Sequence, residues 1–213
     1  MIALSTAFKK ALIGISINEK HDTFELEANC KHSENILLSI DALLEKMGQT
    51  IKENDSYGVV IGPGSFTGVR IAISLVKGLL AGDRDKRIVT LTSMELMAYT
   101  YINQYRPTDK FVCVIDALSG LYFVCEFDSN GNKIGYERMI TQEEYDAINL
   151  TTVGLDEENV ACTVKIVLSA EDLLSLCERK LKDGKFSKKE ELLPLYLRKS
   201  QAEVSLEERL KKV

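Results

Sequence analysis

The stretch VVIGPGSFTGVRIAISLVKGLLAG, Val59–Gly82, joins a short apolar run to three glycines and then to a long segment of helical period. Read alone, it is a buried strand, a tight turn and a helix, the order in which α/β folds present anions to free helix amides. Gly62, Gly64 and Gly68 give GxGxxxG, one residue longer than the dinucleotide fingerprint, and Pro63 removes a backbone donor. The GK[ST] ending of a P-loop is missing, so no lysine is in place for terminal phosphates. Ser65 is not in a GxSxG elbow, and His21 and His32 are the only histidines with which a triad could be built. What the motif does offer is a turn ending in a helix whose amides, with the Ser65 or Thr67 hydroxyl, either hold an anion or cap the helix.

The helix that follows has an unusual wheel. Arg70, Ser74, Lys77, Gly78 and Ala81 occupy one side, while Ile71, Leu75, Leu79, Val69, Ile73, Val76 and Leu80 cover the rest. A helix lying on a sheet needs an apolar stripe of about 100°, and this one is roughly twice as wide. The excess predicts a second surface, and Gly78, costly by about 0.5–1 kcal/mol inside a helix, is explained if another backbone comes close. On the preceding helix, Leu38 and Ala42 stand off the main face formed by Ile36, Ile40, Leu43, Leu44 and Met47. The expected partner interface is therefore Leu38, Ala42, Val69, Arg70, Ile73, Val76, Lys77 and Leu80. The competing expectation is that the chain's own second half or tail fills the same surface.

Around this core motif the pattern is α/β. IALST, KALIGISI and TFELEAN read as hairpin strands, a helix runs over 33–47, YGVVIG is a strand, a helix covers about 66–81, and RIVTLT and SMELMAYTYINQY are strand and helix. After Pro107 the order starts again with FVCVIDA, GLYFVCEFD and KIGYERMI, then a short helical TQEEYDAI, a strand NVACTV and a helix from about Ala170 to Lys182. Two successive βββαβα units predict a duplicated, ribonuclease H-like or actin-like fold, with residues 1–106 as the first lobe and 107–213 as a second, truncated lobe. A charged C-terminal helix in that second part could pack back on the first.

Composition narrows the function classes. The chain has 213 residues, 45% of them apolar, and a net charge of -5, with no obvious stripe of Lys and Arg for a nucleic-acid backbone. Five scattered cysteines without a CxxC pair read as reduced, buried thiols of a cytoplasmic protein. No apolar run approaches a membrane span, and no signal-type cleavage site follows the N-terminal apolar segment.

GPGSFTGVRI, together with HSE at His32–Glu34, IDA at Ile115–Ala117 and PLYLR at Pro194–Arg198, resembles the TsaB (YeaZ) family over nearly the whole chain. The resemblance implies an actin-like two-lobe fold and a non-catalytic subunit for threonylcarbamoyladenosine formation in tRNA. It also implies pairing with the catalytic TsaD paralogue through the two first-lobe helices, self-association through the same surface, and recruitment of the ATPase TsaE. The complex transfers a threonylcarbamoyl group to the adenosine beside the anticodon of tRNAs reading codons that begin with A, and tRNA is met through the complex only. No cofactor or metal is expected for the isolated chain, with ATP or ADP accommodated in the assembled complex.

The departures point the same way. Relatives begin LDT where this chain has Leu4-Ser5-Thr6, and Leu118 and Leu121 lie where an Arg and a Glu are expected after Asp116. A lone carboxylate cannot hold a metal or act as both acid and base. His32 has no second histidine nearby and reads as a local cap; Lys9 and Lys10 read as a solvated turn. The alternative function is a stand-alone actin-like ATP-dependent phosphotransferase or a peptidase.

Overall fold

The computed structural model describes residues 1–26, 32–82 and 85–197, with residues 32–34 described by backbone only. The first half runs β1 (Ile2–Ser5), β2 (Ala11–Ile17), β3 (Lys20–Leu26), α1 (His32–Met47), β4 (Ser56–Val60), α2 (Phe66–Leu79), β5 (Arg87–Leu91) and α3 (Ser93–Tyr105). The second runs β6 (Phe111–Asp116), β7 (Leu121–Phe127), β8 (Lys133–Thr141), α4 (Gln142–Asp146), β9 (Thr151–Leu155), β10 (Val164–Ile166) and α5 (Ala170–Lys182). Each half builds a five-stranded sheet of the same plan, β3-β2-β1-β4-β5 and β10-β9-β6-β7-β8. In each, three antiparallel strands are extended by two parallel ones. This is the expected α/β, actin-like arrangement.

The parallel strands explain their own composition. All five residues of β4 are buried, so the strand carries no alternation. On β1 and β4 the small residues Ala3 and Gly58 meet α5: a Cβ on Gly58 would run into the Cys177 sulfur. That close approach leaves α1 and α2 on the opposite face of the first sheet, where α1 contacts β2 and β3, and α2 contacts β1 and β4. The two halves exchange their last helices. Helix α3, from the first half, packs on β6, β7, β9 and β10, whereas α5, from the second, packs on β1, β2 and β5. The two helices touch, and Asp172 accepts hydrogen bonds from Thr100 (3.0 Å) and Asn103 (3.3 Å). One apolar core runs through both sheets as a result.

The second half is reduced on its outer face. Helix α4 has 5 residues where α1 has 16, and no helix joins β9 to β10. A small outer cluster of Val112, Val114, Val124, Ile140, Tyr145 and Val160 fills part of that face. Here one sequence expectation fails. Strand β9 is Thr151–Leu155, and of NVACTV only Val164 is paired, as the first residue of β10; Val160 packs into the outer cluster and the Tyr145 hydroxyl donates to the Ala161 carbonyl at 2.5 Å. Most of the alternation in that segment serves packing over the sheet, not pairing within it. The charged C-terminal helix and Arg198 of the PLYLR motif lie outside the described residues, as do the side chains of His32, Ser33 and Glu34.

Candidate functional site

The glycine turn is filled from within the chain. Ser65 is the N-cap of α2, its hydroxyl accepting from the Gly68 amide at 3.1 Å, while its own amide donates to the Ala7 carbonyl at 2.8 Å. The Thr6 hydroxyl donates to the Gly68 carbonyl. A side chain on Gly68 would collide with the Thr6 carbonyl oxygen, and one on Gly64 would come within 2.5 Å of the Ala7 carbonyl oxygen. Gly62, at φ +104°, turns the chain so that the Ile61 carbonyl can accept the Leu195 amide at 2.8 Å. The β1–β2 turn thus lies against the loop where an anion would approach Gly64 and Gly68. Thr67 is exposed on the rim.

Beyond the turn opens a cleft of about 390 Å³ between the halves, lined by Thr6, Lys9, Ser65, Thr67, Ile71, Asp116, Glu157 and Glu158 among others. Its charge is dominated by the three carboxylates. The backbone amide of Lys9 donates to Glu157 at 3.1 Å and its ammonium to the Glu157 carbonyl, a clasp from the β1–β2 turn to the β9–β10 loop. Glu158 accepts from the Asp116 amide at 3.0 Å, and Asp116 in turn accepts from the Leu118 amide at 2.7 Å. Burial, with Asp116 and Glu157 close by, pushes the Glu158 carboxyl up to about 7. A phosphate placed here would face these acids, and Lys9, the one cation among the lining residues, already donates its ammonium to the Glu157 carbonyl. Among the described residues no group of His, Cys, Asp and Glu is placed to hold a metal ion. Ser5 is fully buried, and its hydroxyl accepts from the Ala7 amide at 3.4 Å.

Glu158 gives a pH prediction. A carboxyl raised above its ordinary 4.5 keeps its proton in the folded state while the unfolded chain loses it, so stability falls as pH rises from about 4.5 to about 7 and then levels. Glu158→Gln, which keeps the acceptor for the Asp116 amide, is expected to flatten that slope and raise stability at pH 8 by roughly 1–2 kcal/mol. Urea midpoints at pH 5 and 8 for both proteins check it; parallel pH profiles would reject it.

The helix surfaces are only partly as expected. Val69, Ile73, Val76 and Leu80 are each at most 3% exposed and face the sheet within this chain, so these four are core residues and not interface. The wheel could not tell which flank of so broad a stripe would meet the sheet. Ile71 turns toward the cleft, and Leu75 and Leu79 are half-buried against the core. The tail takes the first turn of α2: Tyr196 stacks on Phe66 with ring centroids 5.1 Å apart, and the Arg70 guanidinium lies 3.9 Å from the Phe66 ring centre and donates to the Tyr196 hydroxyl at 2.5 Å. Left open are Leu38 at 65% exposure, Ala42, Ser74, Gly78 and the half-buried Lys77. Leu37, 45% exposed beside Leu38, belongs with them, and only the three-dimensional placement of α1 reveals it. Among the described residues, the helix's own turns aside, nothing lies within 4 Å of a Cβ built on Gly78.

Comparison with known proteins fixes the family. A family model described as TsaD, tRNA N6-adenosine threonylcarbamoyltransferase, matches residues 26–161, more than half of the chain. The chain belongs to this family. Within it, the sequence groups with TsaB (YeaZ). It is 27% identical over 124 residues to the tRNA threonylcarbamoyladenosine biosynthesis protein TsaB of Haemophilus influenzae, covering 58% of this chain and 52% of that one. With TsaB of Escherichia coli it shares 26% identity over 194 residues, 81% of this chain and 83% of the other. The match thus spans about half the length of the first relative and most of the second. The fold is shared with YeaZ from Pseudomonas aeruginosa, at a TM-score of 0.75 and 22% identity over 92% of this chain and 98% of that one. No helix among the described residues is long and apolar enough to cross a membrane.

Proposed function

We propose that this chain is a non-catalytic subunit in the formation of threonylcarbamoyladenosine in tRNA, acting by docking a TsaD-like paralogue on the outer face of α1 and α2, with a TsaE-like ATPase joining the assembly. The names of the relatives point to the pathway. The docking role rests on one observation: Leu37 and Leu38 stand in solvent while Gly78, inside α2, has open space around it. A glycine in that position weakens the helix with no return among the described residues, which makes sense where a second backbone comes close. The lack of a catalytic role is supported by the cleft, where acids face one another and the loop's capping groups are engaged within the chain. In this reading the glycine turn is a structural hinge between β4 and α2, and any ATP or ADP belongs to the assembled complex. The same surface serves self-association when the paralogue is absent.

Leu38→Asp tests the docking face. The side chain is mostly exposed, so the monomer should keep its urea midpoint within about 0.5 kcal/mol. The complex with the TsaD-like paralogue should weaken at least a hundredfold, since an unpaired carboxylate would be buried at an apolar contact. Gly78→Ala complements it: the monomer gains about 0.5–1 kcal/mol while the complex loses affinity. Titration calorimetry and native mass measurement read both, and unchanged complex affinity for the two variants would discard this face. Calorimetry of the isolated chain with ATP and magnesium separates the phosphotransferase alternative, which requires stoichiometric binding.

A further inference from the structure

In this net-acidic chain the fold brings two cation-bearing segments together. Residues 179–189 hold Arg179, Lys180, Lys182, Lys185, Lys188 and Lys189 with one acid, Asp183, between Glu178 on one side and Glu190 and Glu191 on the other. Part of this has a local explanation. Arg179, Lys180 and Lys182 lie in the last turn of α5, where cations offset the helix dipole. Arg179 stacks 4.8 Å from the Tyr99 ring centre, and Lys180 donates to the Thr90 carbonyl and Glu95. The lysines beyond Gly184 have no such role. Lys188 and Lys189 begin a 3₁₀ turn, the end at which a dipole favours acids, and the exposed Lys185 pairs with Asp183 at 3.8 Å.

This segment is held firmly on the edge of the first sheet. The Ser187 amide donates to the Ile88 carbonyl at 2.8 Å and the Ser187 and Thr90 hydroxyls are 2.6 Å apart. The anchorage sets Lys188 and Lys189 around an open concavity with Lys86 and with Glu190 at its rim. It also leaves Phe186 49% exposed, with the Arg87 guanidinium, which is paired on its other side with Asp55, 5.8 Å from its ring centre. Lysines on a fixed backbone beside an exposed aromatic ring suit a polyanion that also offers flat faces to stack on, which is RNA and not a bare phosphate surface.

We infer that the face formed by Lys86, Arg87, Lys185, Phe186, Lys188 and Lys189 contacts the phosphate backbone of the RNA substrate. This rests on the functional reading above and adds to it a direct contact by this subunit. It lies at the β5 edge and at the end of α5, apart from the outer face of α1 and α2.

The test is binding of an unmodified tRNA transcript, across a salt series, to the chain assembled with its TsaD-like paralogue. Assembly is first checked by native mass; a missing complex counts against the functional reading, and RNA binding is then measured on the chain alone. The triple variant Lys185→Gln, Lys188→Gln, Lys189→Gln should bind about tenfold more weakly at 100 mM salt, with the slope of log affinity against log salt reduced by about 2, as expected for loss of two to three phosphate contacts. A control triple of the same charge change, Lys10→Gln, Lys20→Gln, Lys110→Gln, should leave both quantities near wild type. Phe186→Ala should weaken binding severalfold without moving the salt slope. Unaltered binding by the first triple, an equal loss in the control, or equal retention by vesicles of anionic lipid would each overturn the inference.

Discussion

Val76→Asp is expected to unfold the chain. Val76 is fully buried on the side of α2 that packs on β1 and β4, in the apolar core that also holds Leu4 and Val59. The substitution removes about 1.5–3 kcal/mol of apolar burial and adds the cost of a carboxyl with no donor in reach. Together these amount to about 4 kcal/mol or more, a large part of the roughly 5–15 kcal/mol that holds a domain folded. Ile73→Asp should behave alike, being 3% exposed on the same face. Ser74→Asp, its exposed neighbour, should shift the midpoint by no more than about 0.5 kcal/mol. Circular dichroism in a urea series reads all three. A wild-type midpoint for Val76→Asp would mean that α2 lies on the sheet by another flank, and the docking face would have to be redrawn.

Gly68→Ala is expected to have the second largest effect. The added methyl would be driven into the Thr6 carbonyl oxygen, and that carbonyl cannot withdraw easily. Thr6 is 2% exposed, its hydroxyl is bonded to the Gly68 carbonyl, and the next residue, Ala7, accepts from the Ser65 amide. Backbone against backbone leaves no flexible side chain to give way, so the cost should be roughly 3 kcal/mol or more, at the upper end for overpacking. For a chain of this size that is a fall in Tm of about 10 °C. The change adds no charge and removes no hydrogen bond, so a thermal scan reports the steric contact almost alone. An unshifted Tm would show that the β1–β2 turn does not seat on the loop.

These two outcomes also mark what the sequence could and could not reveal. The strand plan was legible because the elements announce themselves by period: alternation in β3, an unbroken apolar run in β4, three-and-four spacing in α1. Helix α5 matches its expected limits, Ala170 to Lys182, because Ser169 caps one end and the apolar face is narrow. Strand β9 was hidden, since TTVGL is short and the neighbouring alternation of Val160, Cys162 and Val164 made a stronger pattern. The loop glycines were legible as a tight turn, but what they approach, Thr6 and Ala7, is set by a contact of some sixty residues' separation that no local pattern encodes. The excess apolar surface of α2 was visible, though not its division among sheet, cleft and tail. Ile71 goes to the cleft, Phe66 to Tyr196, and the residues assigned outward, Val69, Ile73, Val76 and Leu80, are the ones that the sheet covers. The basic face was missed for a similar reason: Lys86 and Arg87 join residues 185–189 only through the Ile88–Ser187 bridge.

The crossing of α3 and α5 between the halves has a consequence for how such a protein can be inherited and engineered. A gene fragment ending after α3 would leave bare the sheet surface around Ala3 and Gly58, which only a helix encoded some seventy residues later can cover, and the reverse fragment would strip the second sheet of α3. Neither half carries the helix that covers its own sheet, so neither can be swapped or expressed as a separate cassette. Recombination within this gene is therefore tolerated only where both helices travel together, which keeps the two like-planned sheets in a single reading frame.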